Sequence, residues 1–258
     1  MPVARPARRG RRRAASVDDR WGGAVLILGL ETSTSQVSVA IGGPDGVTAS
    51  ARVRRDQRHA ELLAPLVEQM LRSTSTRLAD LAAVAVGDGP GLYTGLRVGV
   101  ATAKTLALAL DLPVVPVCSL DLLAHAARHG AGRVAAVMDA RRSEVFWAVY
   151  ETDRRGVRTV VEPAVGRPDA AAERLGAIAA DAGPVRIVGD GALRHAAPFL
   201  PVGGDVAADW PAYPSASALV QIAVQRLDLG GGVAQDAVVP RYLRRPDAEA
   251  NWVERGPA

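Results

Sequence analysis

The sequence predicts an α/β protein built from two lobes of the same plan. An apolar strand, an acidic residue, a polar turn and a returning strand occur twice: Glu31 ends the strand at residues 25–30, and Asp139 ends the strand at residues 134–138. Around these units, runs with strand character alternate with stretches of helical periodicity, as expected for a sheet covered by helices. Because the same plan recurs 108 residues later, we expect duplicated lobes.

Each element follows from a local pattern. Short apolar or alternating runs predict strands at residues 25–30, 37–41, 48–53, 81–86, 113–117, 134–138, 145–150 and 185–188. Apolar residues at three- and four-residue intervals predict helices at residues 60–71, 96–110, 119–128, 170–180 and 215–227. Pro65 lies inside the first of these helices, and proline is accommodated best in a first turn, so it favours a helix start near Leu62.

These elements divide the 258-residue chain into four parts. We expect a disordered, arginine-rich tail at residues 1–23, an N-terminal lobe at 24–130, a C-terminal lobe at 131–232 and a C-terminal segment at 233–258. The net charge of +4 comes from the tail, which holds seven arginines and two aspartates within residues 1–20. Because the remaining chain is close to neutral, it does not predict a broad basic face for nucleic acid.

The single cysteine, Cys118, excludes an intrachain disulfide and favours a reducing, cytoplasmic location. It follows an apolar run and has no base beside it, which predicts a buried thiol rather than a nucleophile. The apolar segments are too short to span a bilayer, so we expect no membrane partner.

A glycine-rich run from Gly87 to Gly91 follows one apolar strand and leads into a helix. Such a run can bind a phosphate or carboxylate, because glycine lets backbone N–H groups approach a ligand and the helix start carries partial positive charge. The spacing fits neither the P-loop nor the dinucleotide-binding fingerprint. An anion site and a purely structural loop therefore both remain open.

Two lobes that each open with a hairpin resemble the actin-like ATPase (ribonuclease H-like) fold of actin, sugar kinases and the Hsp70 ATPase domain. Five segments, in this order, also resemble the TsaB family: ILGLETST (27–34), RHAELL (58–63), GPGLYTGLR (89–97), DARRSEVF (139–146) and PRYLR (240–244). Residues 151–239 resemble that family only loosely.

The resemblance implies a non-catalytic platform in the synthesis of threonylcarbamoyladenosine (t6A) in tRNA. Its expected partners are the paralogue TsaD, the ATPase TsaE and, through their complex, tRNA; a homodimer is expected when TsaD is absent. The positions of the TsaD metal ligands fall on Ser119 and Leu123, and leucine cannot ligate a metal. We therefore expect no cofactor of the chain's own, with ADP or ATP at the TsaD interface as an open alternative.

The two apolar helices of the N-terminal lobe are the expected partner surface, because their apolar arcs are wider than the stripe that covers a single core. A well-filled interior would give the same pattern. The expected partner-binding residues are His59, Leu62, Leu63, Leu66, Val67, Met70, Gly99, Ala103 and Ala107.

Weak nucleotide binding is expected, if at all, at the first turn and the glycine positions. These residues are Thr32, Ser33, Thr34, Gly87, Gly89, Gly91 and Gly189. Arg141 and Arg142 lie in the second turn, where they are candidates for contact with tRNA or a partner, and solvated charge is the alternative.

Three catalytic alternatives remain. Glu31 and Asp139 are either a general acid and base or, more simply, acceptors for turn N–H groups. His125 and His129 have the i, i+4 spacing of a zinc pair, which would suggest a metallopeptidase, but an exposed helix face explains them as well. The glycine runs also allow an active sugar-kinase-like ATPase.

Overall fold

The computed structural model describes residues 25–55, 58–129, 132–154, 156–202 and 211–244. Within these ranges the strands form two sheets, each covered by helices. The tail predicted at residues 1–23 and the last part of the predicted C-terminal segment lie outside the described residues. None of the helices in the described ranges combines the length and the apolar character needed to cross a bilayer.

The first sheet has the strand order β3-β2-β1-β4-β5. Its strands are β1 (Leu26–Glu31), β2 (Gln36–Gly43), β3 (Gly46–Arg54), β4 (Leu81–Gly89) and β5 (Val114–Cys118). β2 is antiparallel to both β1 and β3, whereas β4 pairs in parallel with β1 and with β5. Helix α1 (His59–Ser73) connects β3 to β4, α2 (Tyr93–Leu110) connects β4 to β5, and α3 (Ser119–Ala126) follows β5.

The second sheet has the strand order β8-β7-β6-β9. Its strands are β6 (Gly132–Arg141), β7 (Glu144–Thr152), β8 (Val157–Gly166) and β9 (Val185–Val188). Helix α4 (Pro168–Ala182) precedes β9, and α5 (Asp190–Arg194), α6 (Ala196–Phe199) and α7 (Ala216–Asp228) follow it.

The two sheets repeat one topology. In each, a three-stranded antiparallel meander is followed by a helix and then by a strand that pairs in parallel with the first strand of the meander. β1 and β6 therefore hold equivalent positions, and their carboxyl ends carry Glu31 and Asp139. The predicted two-lobed α/β architecture with duplicated lobes is confirmed.

Apolar layers on both faces of the first sheet hold the molecule together. α1 and α2 pack on one face and α7 covers the other. α3 packs between the sheets, against strands of both lobes, and α4 covers the outer face of the second sheet. Although α7 falls within residues 131–232, which the sequence assigns to the C-terminal lobe, it packs on the N-terminal sheet.

Several boundaries differ from the predictions. β8 was not predicted, because it is an edge strand whose mixed, partly exposed residues include Pro163, so it has no clear apolar alternation. α1 begins at His59 and not near Leu62. Pro65 lies on its exposed side, where water can hydrogen-bond the carbonyl that loses its intrahelical partner. β4 extends through Gly89, so most of the predicted glycine loop belongs to a strand.

Candidate functional site at the strand ends of the two lobes

The turn after β1 encloses a carboxylate. Glu31 has no exposed surface; the backbone N–H of Ser33 donates to Oε1 over 2.6 Å, and the Ser119 hydroxyl donates to Oε2 over 3.3 Å. Burial raises the pKa of Glu31, an effect that these hydrogen bonds partly offset. Glu31 therefore accepts a turn N–H group, as the structural alternative predicts, while the general acid–base role stays the other alternative.

The rest of this turn is bonded to the two helices of the first lobe. Thr32 Oγ1 donates to the carbonyl of Gly95 over 2.7 Å, and His59 Nε2 donates to the carbonyl of Thr34 over 2.5 Å. The N–H of Leu92 donates to the carbonyl of Ser33 over 2.7 Å. Residues predicted for nucleotide contact and for partner contact are thus bonded to each other inside the chain.

The glycines near this turn make room for the chain's own atoms. A Cβ at Gly91 would overlap the backbone of Ser33, and one at Gly95 would overlap the carbonyl oxygen of Thr32. The other predicted positions behave alike: a Cβ would meet the Glu31 carboxylate at Gly87, the Arg241 carbonyl at Gly89, the Thr32 hydroxyl at Gly99 and the Val137 carbonyl at Gly189. Nucleotide binding through these glycines stays a prediction. In this structure, the space beside each glycine is occupied by other atoms of the same chain.

A second acidic group beside the turn was missed from the sequence. Asp88 is 8% exposed and lies 3.5 Å from the Arg241 guanidinium, while the N–H of Arg241 donates to the Asp88 carbonyl over 2.6 Å. Burial raises the pKa of Asp88, and the charge of Arg241 opposes this. The PRYLR segment, which carries Arg241, could have pointed to a partner for Asp88. The two residues are too far apart in sequence for their ion pair to be predicted.

The turn after β6 holds its acid differently. The N–H of Arg141 donates to Asp139 Oδ1 over 3.0 Å, and the guanidinium groups of Arg194 and Arg141 lie 3.3 Å and 3.6 Å from Oδ2. Asp190 Oδ1 accepts the N–H of Asp139 over 3.1 Å, and burial raises the pKa of Asp190 to about 6. Asp139 therefore accepts a turn N–H, as the structural alternative predicts, while the general acid–base role stays the other alternative.

The β6–β7 turn has an unusual backbone. Arg141, Arg142 and Ser143 all have positive φ, at 63°, 53° and 57°. Left-handed conformations cost non-glycine residues roughly 1–2 kcal/mol each, so this turn is strained. Two arginines of this turn, Arg141 and Arg142, are exposed at the end of the second sheet.

The helix residues predicted to bind a partner lie mainly in the interior. Only Leu62 is partly exposed; the buried ones are His59, Leu63, Leu66, Val67, Met70, Gly99, Ala103 and Ala107. The apolar arcs are wide because both helices pack on the sheet and on each other. Their side chains form the core of this chain, so a partner would meet the opposite faces of the same helices.

An exposed aromatic group lies at the start of α2. The rings of Tyr93 and Tyr242 are 5.0 Å apart, and the Arg97 guanidinium lies 3.9 Å from the centre of the Tyr93 ring. Arg97 Nε also donates to the Tyr242 hydroxyl over 3.1 Å. This contact ties residues near the end of the described chain to the surface of the first lobe.

The histidine pair does not form the arrangement that its spacing suggested. α3 ends at Ala126, so His129 lies beyond the helix and is exposed. His125 is buried, and its Nε2 lies 3.0 Å from Gln221 Oε1, so the expectation of an exposed helix face is wrong for His125. Among the described residues, no three His, Cys, Asp or Glu side chains group as metal ligands. Cys118 is buried, as predicted, and burial raises the pKa of its thiol to about 12.

Comparison with known proteins gives a consistent relationship. The family model for TsaD, tRNA N6-adenosine threonylcarbamoyltransferase, matches residues 53–252. The tRNA threonylcarbamoyladenosine biosynthesis protein TsaB of Escherichia coli is 35% identical over 223 residues, which cover 84% of this chain and 94% of that protein. A Mycobacterium leprae protein is 38% identical over 237 residues; they cover 90% of this chain but 58% of that longer protein.

A solved structure extends the relationship to the fold. A Pseudomonas aeruginosa protein with similarity to peptidase YeaZ superposes with a TM-score of 0.72 at 32% identity, covering 85% of this chain and 100% of that chain. The sequence relatives and this structure cover both lobes described above. The two-lobed, actin-like ATPase architecture and the five ordered segments are thus explained together: the chain belongs to the TsaB family.

Proposed function

We propose that this chain is a non-catalytic subunit that binds a TsaD-type transferase and, with the ATPase TsaE, supports threonylcarbamoyl transfer to N6 of adenosine 37 of tRNA. Membership of the TsaB family supports the pathway, since the E. coli relative is named for biosynthesis of the same nucleoside. The same proposal places the chain in the cytoplasm, where tRNA is modified.

The enclosed turn after β1 is the observation that carries the non-catalytic role. Glu31 stands at the strand end, where a reacting group would be expected in such a cleft, yet it is fully buried and bonded to Ser33 and Ser119. Gly91 and Gly95 are packed against the same turn. This arrangement supports a carboxylate that stabilises the fold.

Glu31→Gln tests this role. Glutamine keeps the length of the side chain and can still accept the Ser33 N–H, so t6A formation by the complete complex is expected at the wild-type rate. Loss of a general acid or base would lower the rate by roughly 10²- to 10⁴-fold. A loss of that size, with unchanged thermal unfolding, would overturn the non-catalytic proposal.

The exposed faces of α1 and α2 supply the partner surface in this proposal. On α2, Ala101, Thr105 and Leu108 lie at helical spacing on the exposed side, and Leu108 is 66% exposed. On α1, Ala64 and Pro65 are exposed as well. Small and apolar side chains on adjacent helices suit close packing of helices from another subunit.

Leu108→Asp tests this surface, with Leu200→Asp as a matched control, because Leu200 is 63% exposed on the second lobe. We expect Leu108→Asp to weaken capture of TsaD from the same organism by at least about 10-fold, since a desolvated charge at an interface costs more than about 1.4 kcal/mol. Leu200→Asp should leave capture unchanged. Size-exclusion co-elution and titration calorimetry measure both, and equal capture by the two variants contradicts the proposed surface.

The same surface accounts for two further expectations. We propose that the chain pairs with itself through α1 and α2 when TsaD is absent, and that ADP or ATP, where present, binds at the TsaD interface. Sedimentation of the chain alone tests the first expectation, because Leu108→Asp should shift a dimer to a monomer. Magnesium-dependent ATP turnover by the purified chain alone would instead establish the ATPase alternative.

A further inference from the structure

The cleft between the strand ends of the two lobes contains a cavity of about 630 Å³. Its lining combines the end of β3, the β6–β7 turn, α5 and the segment before α7: Ser35, Arg54, Arg55, Asp139, Arg141, Asp190, Leu193, Arg194, Ala212 and Tyr213. Four arginines from three separate parts of the chain therefore surround one space. The near-neutral charge of the chain beyond its tail gave no indication of this concentration.

The two acids in the cleft neutralise only part of the positive charge of these arginines. Asp139 is already engaged by Arg141 and Arg194, and its side chain is 7% exposed. Asp190 is part-buried and accepts the N–H of Asp139, so its carboxyl group faces inward. Four guanidinium groups thus face two carboxyl groups, and a cleft lined by excess charge of one sign concentrates ligands of the other sign.

The arginines stand at the rim rather than at the floor. Arg54, Arg55, Arg141 and Arg194 are all exposed, and Arg54 is oriented by a hydrogen bond of 3.3 Å to the Tyr213 hydroxyl. Cations spread around an open rim are suited to a polymer with negative charges spaced along its backbone. They are less suited to a single phosphate group that would be buried in the cleft.

The backbone of the β6–β7 turn supports the same conclusion. Glycine or asparagine would adopt its left-handed conformations at lower cost, yet Arg141 and Arg142 occupy two of the three positions. Strain that persists in a turn while presenting charged side chains at a cleft is the kind of outlier from which a functional role is inferred.

We propose that this arginine-rimmed cleft, lined by Arg54, Arg55, Arg141 and Arg194, binds the phosphodiester backbone of RNA. The proposal rests on the proposed function, since tRNA is the RNA that the complex would modify. Guanidinium groups pair with phosphate oxygens, and contacts of this kind position an RNA without reading its sequence. The cleft would therefore hold the tRNA backbone while another subunit carries out the transfer.

The double variant Arg54→Ala/Arg55→Ala tests this site in the full chain, with Arg167→Ala/Arg174→Ala as a control that removes the same charge. Arg167 and Arg174 are exposed at α4 and do not line the cleft. The arginine-rich tail is present in both variants, so any RNA binding by the tail cancels. Anisotropy of labelled, unmodified tRNA should show at least about 10-fold weaker binding for the cleft variant at moderate salt, and a plot of log K against log salt whose slope is less negative by about 1.5 to 2.

The remaining outcomes each decide the matter. Equal losses of tRNA affinity in the cleft and control variants, or no loss in either, would overturn the proposal. Complete displacement of the labelled tRNA by inorganic phosphate or ADP, at concentrations that saturate a small-anion site, would also overturn it. Arg194→Gln, which can keep a hydrogen bond to Asp139, provides a second variant and should also weaken tRNA binding. TsaD capture by the cleft variants, measured in parallel, should be unchanged. Loss of tRNA binding with intact TsaD capture supports the proposed cleft site. Failure of the wild-type chain to capture TsaD contradicts only the proposed function.

Discussion

The two lobes place an acid and a turn at the same topological position but build opposite environments around them. In the first lobe, Glu31 is buried, and serine, threonine and glycine residues enclose it. In the second lobe, Asp139 is surrounded by arginines, and the turn that follows it is exposed and left-handed. The duplicated fold therefore supplies one closed turn and one open turn to the same cleft.

The difference indicates that the closed turn contributes mainly to folding and the open turn mainly to binding. The closed turn joins β1 to α1 and α2, so changes there are expected to affect folding first. The open turn contributes charge at the cleft rim and its three residues are exposed, so changes there are expected to affect binding first. Substitutions at matched positions of the two lobes can separate these roles.

The largest expected effect is at Gly95 in α2. Gly95→Ala would place a Cβ on the carbonyl oxygen of Thr32, a backbone atom that cannot move without displacing the closed turn. We expect the free energy of unfolding to fall by about 3 kcal/mol, the upper end of the range for overpacked cores. Urea denaturation measures the change.

Gly176→Ala in α4 is the matched control. Gly176 is also a helical glycine, but nothing lies within 4 Å of its Cβ position. Alanine should therefore raise the free energy of unfolding by up to about 1 kcal/mol, because it is the better helix former. Changes of the same sign in both variants would contradict the close packing of Gly95 against the closed turn.

The next effect is the pH dependence contributed by Asp190. Burial raises the pKa of this carboxyl from 3.8 to about 6 in the folded chain, so the folded chain keeps its proton where the unfolded chain has lost it. Asp190 therefore reduces wild-type stability as the pH rises from about 4 to about 6, and the loss persists at higher pH. The contribution is about 2 to 3 kcal/mol for a shift of this size.

Asp190→Asn carries no titrating proton and can still accept the N–H of Asp139. The stability of this variant relative to wild type should therefore rise between about pH 4 and about pH 7, by that same 2 to 3 kcal/mol. Urea unfolding of both proteins across this interval provides the measurement. A difference that does not change with pH would contradict the burial of Asp190 at the open turn.

The smallest effect separates the two turns directly. Ser143→Gly should raise the free energy of unfolding by about 0.5 to 1 kcal/mol, because glycine relieves the left-handed strain at φ 57°. In the closed turn, where Ser35 is not among the residues with positive φ, Ser35→Gly should lower it by about 0.4 to 1 kcal/mol through unfolded-state entropy. Thermal unfolding of both variants checks this, and a gain in both would remove the contrast.

Much of the fold was predictable, because the decisive signals are local. The strand at residues 185–188 and the helices near residues 96–110 and 215–227 were predicted to within a few residues. β8 escaped because an edge strand with Pro163 lacks apolar alternation. The start of α1 was misplaced because Pro65 is tolerated on a solvent-facing side, which periodicity alone does not reveal.

The candidate site was less predictable. The glycines and the acids Glu31 and Asp139 could be identified from residue type and position. Their roles depend on the neighbouring atoms, which only the structure shows. The wide apolar arcs of α1 and α2 could not distinguish core from interface, and the structure assigns Leu66 and Ala103 to the core. Arg54 and Arg55 went unnoticed because a pair of arginines at a strand end is ordinary until other cations face it.

The sequence by itself determined most of the strands and helices, the repeat of the lobe plan and the family, because periodicity and ordered motifs are properties of neighbouring residues. Only the tertiary structure decided that Ser119 closes over Glu31, that α7 completes the first lobe and that Arg54 lines the same cavity as Arg194. These pairings join residues 88 or more positions apart. They exist only once packing has brought distant segments together, and no local pattern encodes that proximity.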